Sequence, residues 1–220
     1  MTRGTPAKGT AQPRLRADAA RNREQVLTAA RQAFRELGTA APLDEIARRA
    51  GVNIATLYRR FPDRDALIRQ VLVDGYTLVL EAARSATEAA ASSPGTAVEQ
   101  FLLALVDRRD ELVLPLIGGP ITDGDQLIGL QREIADTLER LLAAARSADA
   151  VRADVTAVDL IMAGALVCRP LPYLPGQQST ALARRHVQVF LDGLRPAPSR
   201  PLPSGPSHED ITAHLQAEPE

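Results

Sequence analysis

The residues of this 220-residue chain whose types and spacing could do chemistry run from Leu43 to Phe61. Small and apolar side chains fall there where a helix-turn-helix needs them, each for a steric reason. Ala47 is small, so a second helix can approach the first, and Gly51 supplies the tight turn between them. Ile46, Ala50, Val52 and Leu57 fill the small core where the two helices cross. The outer face of the second helix, Asn53 to Arg60, is then left to enter a DNA major groove about 12 Å wide. The same spacing can also be read as plain helical packing without DNA.

Bond-making chemistry finds no support. No nucleophile has a nearby base, and there is no glycine-rich phosphate loop, no H-E-x-x-H and no His/Asp/Glu set at metal-ligand spacing. Gly118-Gly119-Pro120 lacks a strand-to-helix context and reads as a helix stop. The expectation is a protein without catalysis, metal or cofactor. Cys168 is the single cysteine, which excludes an internal disulfide framework and a cysteine-based metal cluster. Its flanks, Ala165-Leu166-Val167 and Arg169-Pro170, place it at a buried helix end, where a thiol is unreactive.

The elements that position the Asn53–Arg60 face are helices. Tryptophan is absent, strand-like alternation is nowhere sustained, and alanine, leucine, arginine and glutamate dominate, which predicts an all-α protein. Residues 1–20 carry almost no large apolar side chain and read as a disordered basic arm. That arm, with Arg3, Lys8, Arg14 and Arg16, is open to two readings, a solubilising tail or a contact to DNA. From Arg21, the positions Val26, Leu27, Ala30, Phe34 and Leu37 recur at helical spacing up to Gly38, a natural C-cap. Two short helices follow, Leu43 to Ala50 and Ile54 to Phe61, before a long helix opened by Pro62-Asp63, with Pro62 in its first turn.

Beyond Ser92-Ser93-Pro94-Gly95 the pattern predicts a helix from Thr96 to about Leu114 and another from about Asp125 to Arg146. Two more apolar helices, about Val155 to Cys168 and Ser179 to Leu194, are joined by the rigid segment Pro170 to Gly176. Residues 196–220 read as a disordered Pro-rich tail. His186 belongs to the final amphipathic helix, and His208 and His214 to the polar tail. Arg108 and Arg109 read as a solvated helix face with local ion pairs ahead of a ligand anchor. The longest apolar stretches, such as Leu112 to Ile117, fall far short of the roughly 20 residues a membrane span needs. Met1 to Pro13 lacks the apolar core of a secretory signal, so the expected location is the cytoplasm.

The run from Arg23 to Leu67 resembles the N-terminal domain of the TetR family of transcriptional regulators. The resemblance is carried by Val26-Leu27-x-Ala29-Ala30-x-x-x-Phe34-x-x-x-Gly38, by Ile46-Ala47-x-x-Ala50-Gly51-Val52, and by Thr56-Leu57-Tyr58-x-x-Phe61-Pro62-x-Arg64-x-x-Leu67. It implies a DNA-binding domain over residues 21–66, with the helix-turn-helix at about 42–61, and a helical ligand-binding and dimerisation domain over 67–195. It further implies that Thr56, Tyr58 and Arg60 contact phosphates and that Arg64 replaces a lysine facing the DNA backbone. Asn53, Ile54, Ala55 and Arg59 then occupy base-facing positions, where Asn pairs with adenine, Arg with guanine, and Ile or Ala touches a thymine methyl.

Two departures stand out. Ala41-Pro42-Leu43 replaces the usual Thr-Thr or Ser-Thr, removing a hydroxyl cap and a phosphate contact. Asp44 reads either as a cap for this helix or as a carboxylate that weakens its contacts to phosphate.

The implied function is a ligand-responsive transcriptional repressor, released from a palindromic operator by a small-molecule effector. The alternative is a helical binding or scaffold protein with a degenerate DNA-binding head. Val158, Ile161, Met162 and Ala165 with Leu182, Phe190 and Leu191, on the last two helices, are the homodimer-interface candidates. Phe101, Leu105, Met162 and Leu166 read as core that doubles as the lining of the implied ligand pocket. The net charge of −1, from Lys+Arg 26 and Asp+Glu 27, excludes only a uniformly basic protein. Residues 1–75 hold 14 Lys+Arg against 8 Asp+Glu, net +6, and residues 76–220 hold 12 against 19, net −7.

Overall fold

The computed structural model describes residues 11–113, 125–171, 173–196, 200–207 and 209–210. These form eight α-helices: α1 (Ala11–Leu37), α2 (Leu43–Arg49), α3 (Ile54–Arg60), α4 (Arg64–Ala90), α5 (Pro94–Asp107), α6 (Asp125–Ser147), α7 (Ala157–Val167) and α8 (Gly176–Leu194). A single 3-10 turn, Arg109–Glu111, follows α5, and no strand occurs among the described residues. The all-α expectation holds. Two compact units divide the chain, residues 1–68 and 69–220.

The first unit, the head, packs α1 against α2 and α2 against α3. Leu27, Phe34, Ile46, Leu57 and Leu67 are fully buried there. Leu37, expected on the same stripe, is exposed, because α1 ends at that residue. Gly38 then takes φ +77° and donates its N–H to the Phe34 carbonyl at 3.0 Å, closing the helix with a left-handed residue. At its other end α1 starts at Ala11, well before Arg21, so the expected arm is helical over residues 11–20. Alanine and arginine in this stretch are strong helix formers, and Pro13 falls within the first turn, where a missing N–H costs nothing. Arg3 and Lys8 lie outside the described residues.

The second unit, the body, is organised around α5, which packs against α6, α7 and α8. Phe101 and Leu102 of α5, Leu138, Leu141 and Leu142 of α6, and Leu160 of α7 share one fully buried core. α4 contributes Leu80, Ala83 and Ala86 to that core and meets α6 through polar bonds. Thr87 Oγ1 donates to the Thr137 carbonyl at 3.3 Å, Gln131 Nε2 donates to the Tyr76 hydroxyl at 2.8 Å, and Arg84 pairs with Glu133. α7 is capped from two sides. The Asp159 carboxylate accepts from the Thr156 N–H at 2.8 Å and hydroxyl at 2.9 Å, and Glu139 of α6 accepts from the Ala157 N–H at 2.8 Å.

Three further expectations are corrected in this unit. α5 ends at Asp107 rather than about Leu114. Arg109 Nη1 donates to Ser179 Oγ at 3.0 Å and Nη2 to the Gly176 carbonyl at 3.1 Å on α8, and Leu112 and Val113 bury themselves beyond the helix. Arg109 is thus an inter-helix tie, whereas Arg108 makes the expected ion pairs, to Glu111 and Glu81. Part of the Pro-rich tail is held in place. Arg152 pairs with Asp154 at 2.5 Å and donates to the Arg200 carbonyl at 2.9 Å, while Asp154 accepts the Leu202 N–H at 2.9 Å. A proline-rich segment is already extended, so it loses little entropy on docking. The four pocket candidates differ in exposure. Phe101 and Leu105 are buried, and a Cβ on Gly164 of α7 would sit 2.8 Å from Leu105 Cδ1. Met162 and Leu166 project from the opposite side of α7, 50% and 66% exposed.

Leu114 to Pro120, Pro172, Pro198, His208 and His214 lie outside the described residues. Cys168 is buried at the end of α7, as expected, and burial pushes its thiol up to about 12. No helix among the described residues is long and apolar enough to cross a membrane.

Because Phe101 is wholly enclosed, Phe101→Ala should lower unfolding stability by about 3–5 kcal/mol. Urea denaturation followed by circular dichroism measures this, and a loss below about 1 kcal/mol would contradict the placement of α5 at the centre of the core.

Candidate nucleic-acid interface

The turn from α2 to α3 begins at Ala50, whose N–H returns to the Ile46 carbonyl at 2.9 Å. Gly51 then adopts φ +67°, a conformation that costs any residue with a Cβ about 1–2 kcal/mol. The Val52 N–H reaches back to the Ala47 carbonyl at 3.1 Å, and the chain restarts as α3 at Asn53. Asn53 is extended at φ −71°, ψ 143°, and its Oδ1 accepts the Ala55 N–H at 2.8 Å, so it is the N-cap of α3. In this arrangement one lone pair of the Asn53 amide oxygen serves the helix start. At the far end Asp63 Oδ1 accepts the Ala66 N–H at 2.6 Å, so Asp63 caps α4 and Pro62 lies outside the first turn.

Leu57 anchors α3 in the core, and with 3.6 residues per turn its position assigns every other side chain. Ala55 and Arg59, one turn apart, lie on the opposite side. Ile54 and Tyr58 form one flank, Thr56 and Arg60 the other. All of these are exposed except Thr56, which is half-buried; Tyr58 is 48% exposed. Among the described residues neither Arg59 nor Arg60 has an acidic partner within ion-pair distance.

Arg48, Arg49 and Arg64 of the head are engaged. Arg64 does not present a free guanidinium at the surface. Its Nη1 donates to the carbonyls of Thr39, at 2.9 Å, and Ala41, tying the α1–α2 loop to the start of α4. Both of these bonds are made by Nη1. Arg48 grips Glu45 with two bonds of 2.7 and 2.8 Å. Arg49 bridges Glu45 at 2.7 Å and Glu36 of α1 at 2.6 Å, clamping α2 onto α1. The pairs within α2 follow from helical spacing. The cross-link to Glu36 depends on how α1 and α2 pack, which no local pattern encodes. Hydrogen bonds from Arg48 and then Arg49 hold the Glu45 carboxyl down at about 2, and Arg49 and Gln32 lower that of Glu36.

Pro42 occupies the N-cap position of α2 without a side-chain bond. Asp44 is therefore not the cap and sits in the first turn, where a carboxylate complements the positive end of the helix dipole. No group of three or more His, Cys, Asp or Glu side chains among the described residues could hold a metal ion.

Residues 26–71 match the family model described as bacterial regulatory proteins, tetR family, and residues 93–196 match the model of a transcriptional regulator SbtR-like C-terminal domain. The fold and sequence are similar to the TetR transcription regulatory protein from Mycobacterium vanbaalenii, at 35% identity and TM-score 0.55, over 82% of this chain and 99% of that one. The TetR regulator SCO0520 from Streptomyces coelicolor is 28% identical with TM-score 0.52, over 80% of this chain and 99% of that one. PfmR from Thermus thermophilus shares the fold at 20% identity and TM-score 0.57, over 83% of this chain and 98% of that one. No curated protein sequence matches the chain.

The clamp gives the head an acid sensitivity with a definite sign. Glu45 has its carboxyl depressed from 4.5 to about 2, so its contribution to stability is complete above about pH 4.5 and is lost as pH falls toward about 2. The thermal midpoint of Glu45→Gln should lie below that of the unsubstituted protein at pH 7, and the gap should narrow as pH is lowered through this window. A gap that stays constant from pH 7 to 2 would show that the clamp does not stabilise the fold.

Proposed function

The chain belongs to the TetR family of transcriptional regulators, and we propose that it acts as a homodimeric repressor that binds a palindromic DNA operator through α3 and is released by a small molecule. The observation that carries the DNA reading is the outer face of α3, where Arg59 and Arg60 have no acidic partner among the described residues. Thr56 and Arg60 on one flank and Tyr58 on the other offer hydroxyl and guanidinium donors for phosphates on either wall of a groove. The charge split has the matching sign, since the basic stretch of residues 1–75 holds α3 and the acidic remainder is discouraged from binding DNA nonspecifically.

The body supports self-association. α7 and α8 leave Met162, Leu166 and Val189 exposed, beside the half-buried Val158, Ile161, Ala165 and Leu182. Pairing these helices across a two-fold axis would bury the stripe in a four-helix bundle and match the symmetry of an operator with half-sites about 34–36 Å apart. Met162 and Leu166 therefore belong to this surface. Phe101 and Leu105 stay as candidates for the lining of an apolar effector site in the body, and the cytoplasm is the corresponding location. α4 supplies the linkage. Near its start Leu67 and Ile68 are buried, and further along Leu80, Ala83 and Ala86 enter the core of the body. An effector that binds better to the DNA-free arrangement of α4 must weaken operator binding by the same factor.

Two outcomes follow. Arg60→Ala should weaken binding to all DNA sequences alike and reduce the slope of log K against log salt by about 0.9, as measured by fluorescence anisotropy titrations between 50 and 200 mM salt, roughly the range over which phosphate contacts are resolved. Met162→Asp with Leu166→Asp should convert a dimer to a monomer in sedimentation equilibrium without loss of helix, because both side chains are exposed in the protomer. A double variant that sediments like the unsubstituted dimer would place the self-association surface elsewhere.

A further inference from the structure

We propose that Arg59 reads a guanine in each operator half-site, that Ala55 gives α3 the clearance to bring it there, and that Asn53 sets the start of the helix without reading a base. The inference rests on the operator-binding reading and specifies what that site recognises.

A recognition helix lying in a major groove turns the centre of its outer face to the base edges and its flanks to the phosphate walls. On α3 the centre is the side opposite the buried Leu57, occupied by Ala55 and, one turn on, Arg59. A methyl group is the whole side chain of Ala55, so nothing at that turn holds the helix away from the groove floor. Arg59 is the long side chain on the same line.

Asn53, the two arginines of α2 and the arginine that opens α4 are engaged elsewhere. The Asn53 amide oxygen holds the Ala55 N–H at 2.8 Å, so reaching adenine with both ends of the amide would draw the side chain away from the cap it makes. Arg48 and Arg49 are held by Glu45 and Glu36, and Arg64 by the Thr39 and Ala41 carbonyls. Arg60 shares its flank with Thr56 and faces a wall rather than the floor. Arg59 is thus the arginine that is both central and without an acidic partner among the described residues.

Its chemistry selects the base. A guanidinium offers five donors and no acceptor, in a planar fork. Guanine presents two neighbouring acceptors, O6 and N7, on its major-groove edge, whereas adenine and cytosine place a donor there and thymine a single acceptor beside a methyl group.

The test is a selection of the full-length protein on random double-stranded DNA, followed by titration of the enriched duplex. The unsubstituted protein should enrich paired half-sites that each carry one invariant G·C pair, and exchanging that pair for A·T should cost roughly 5- to 150-fold in affinity. Arg59→Ala should lose preference at that position alone and become indifferent to the exchange, its thermal midpoint unchanged because the side chain is exposed. Asn53→Ser, which keeps a capping oxygen, should retain every preference. If Arg59→Ala instead weakens all duplexes equally and flattens the salt dependence, Arg59 is a phosphate contact and the inference falls while operator binding stands. Relaxed specificity at an adenine in Asn53→Ser would overturn the role given to Asn53. Failure of the unsubstituted protein to enrich any sequence would remove the operator reading, and this inference with it.

Discussion

Gly51 holds a left-handed backbone at φ +67°, and the direction of that one turn decides which way every side chain of α3 points. The constraint is conformational rather than steric, because a Cβ at this position would meet nothing within 4 Å. A side chain would cost strain here without any clash, by the same physics that makes L-residues avoid this region. With the turn in place, the Val52 N–H closes onto Ala47, Asn53 opens the next helix, and Leu57 arrives in the core. The exposure of Ala55 and Arg59 on the far side is the geometric remainder of burying Leu57.

A head of this size has few residues with which to build an apolar core, since surface dominates in small domains. It adds polar fastenings at its joints. Arg49 ties α2 to Glu36 of α1, Arg64 ties the α1–α2 loop to the start of α4, and Asn53 and Asp63 cap the two helices on either side of Phe61. Most of the charge close to α3 is therefore structural. Of four arginines from Arg48 to Arg60, the two on α2 are paired with carboxylates and the two on α3 have no acidic partner among the described residues, so unpaired positive charge lies on the exposed side of α3. The body works differently. It has a large apolar core centred on α5, and its polar contacts fasten loops and helix ends to one another.

Much of this was legible in the residues. Apolar spacing located α6 nearly to its ends, and the short apolar and glycine positions from Ile46 to Leu57 located α2, the turn and α3, because those signals are local and periodic. The misjudged features are those decided by contacts distant in sequence. α5 stops early because Arg109 reaches α8 and because Leu112 and Val113 find burial outside the helix. Met162 and Leu166 looked like core by composition, yet the face of α7 turned inward is the one with Leu160 and Gly164. Arg64 stands at a position where the family resemblance implies a contact with DNA, and its bonds to a loop more than 20 residues away are likewise not readable from local sequence. The start of α1 is the exception. Its propensity was local and readable, but the lack of large apolar residues before Arg21 outweighed it.

The buried thiol at the end of α7 has a practical consequence. Cys168 is the single cysteine of the chain, is enclosed in the core of the body, and has its ionisation pushed up to about 12. At neutral pH it is neither a thiolate nor within reach of an alkylating reagent. A cysteine introduced on an exposed face would therefore be the one nucleophilic sulfur available to a maleimide or a spin label, with no native residue to remove first. A pair of such labels, one on each protomer of the proposed dimer, would report the distance between its two α3 helices directly, in otherwise unaltered protein.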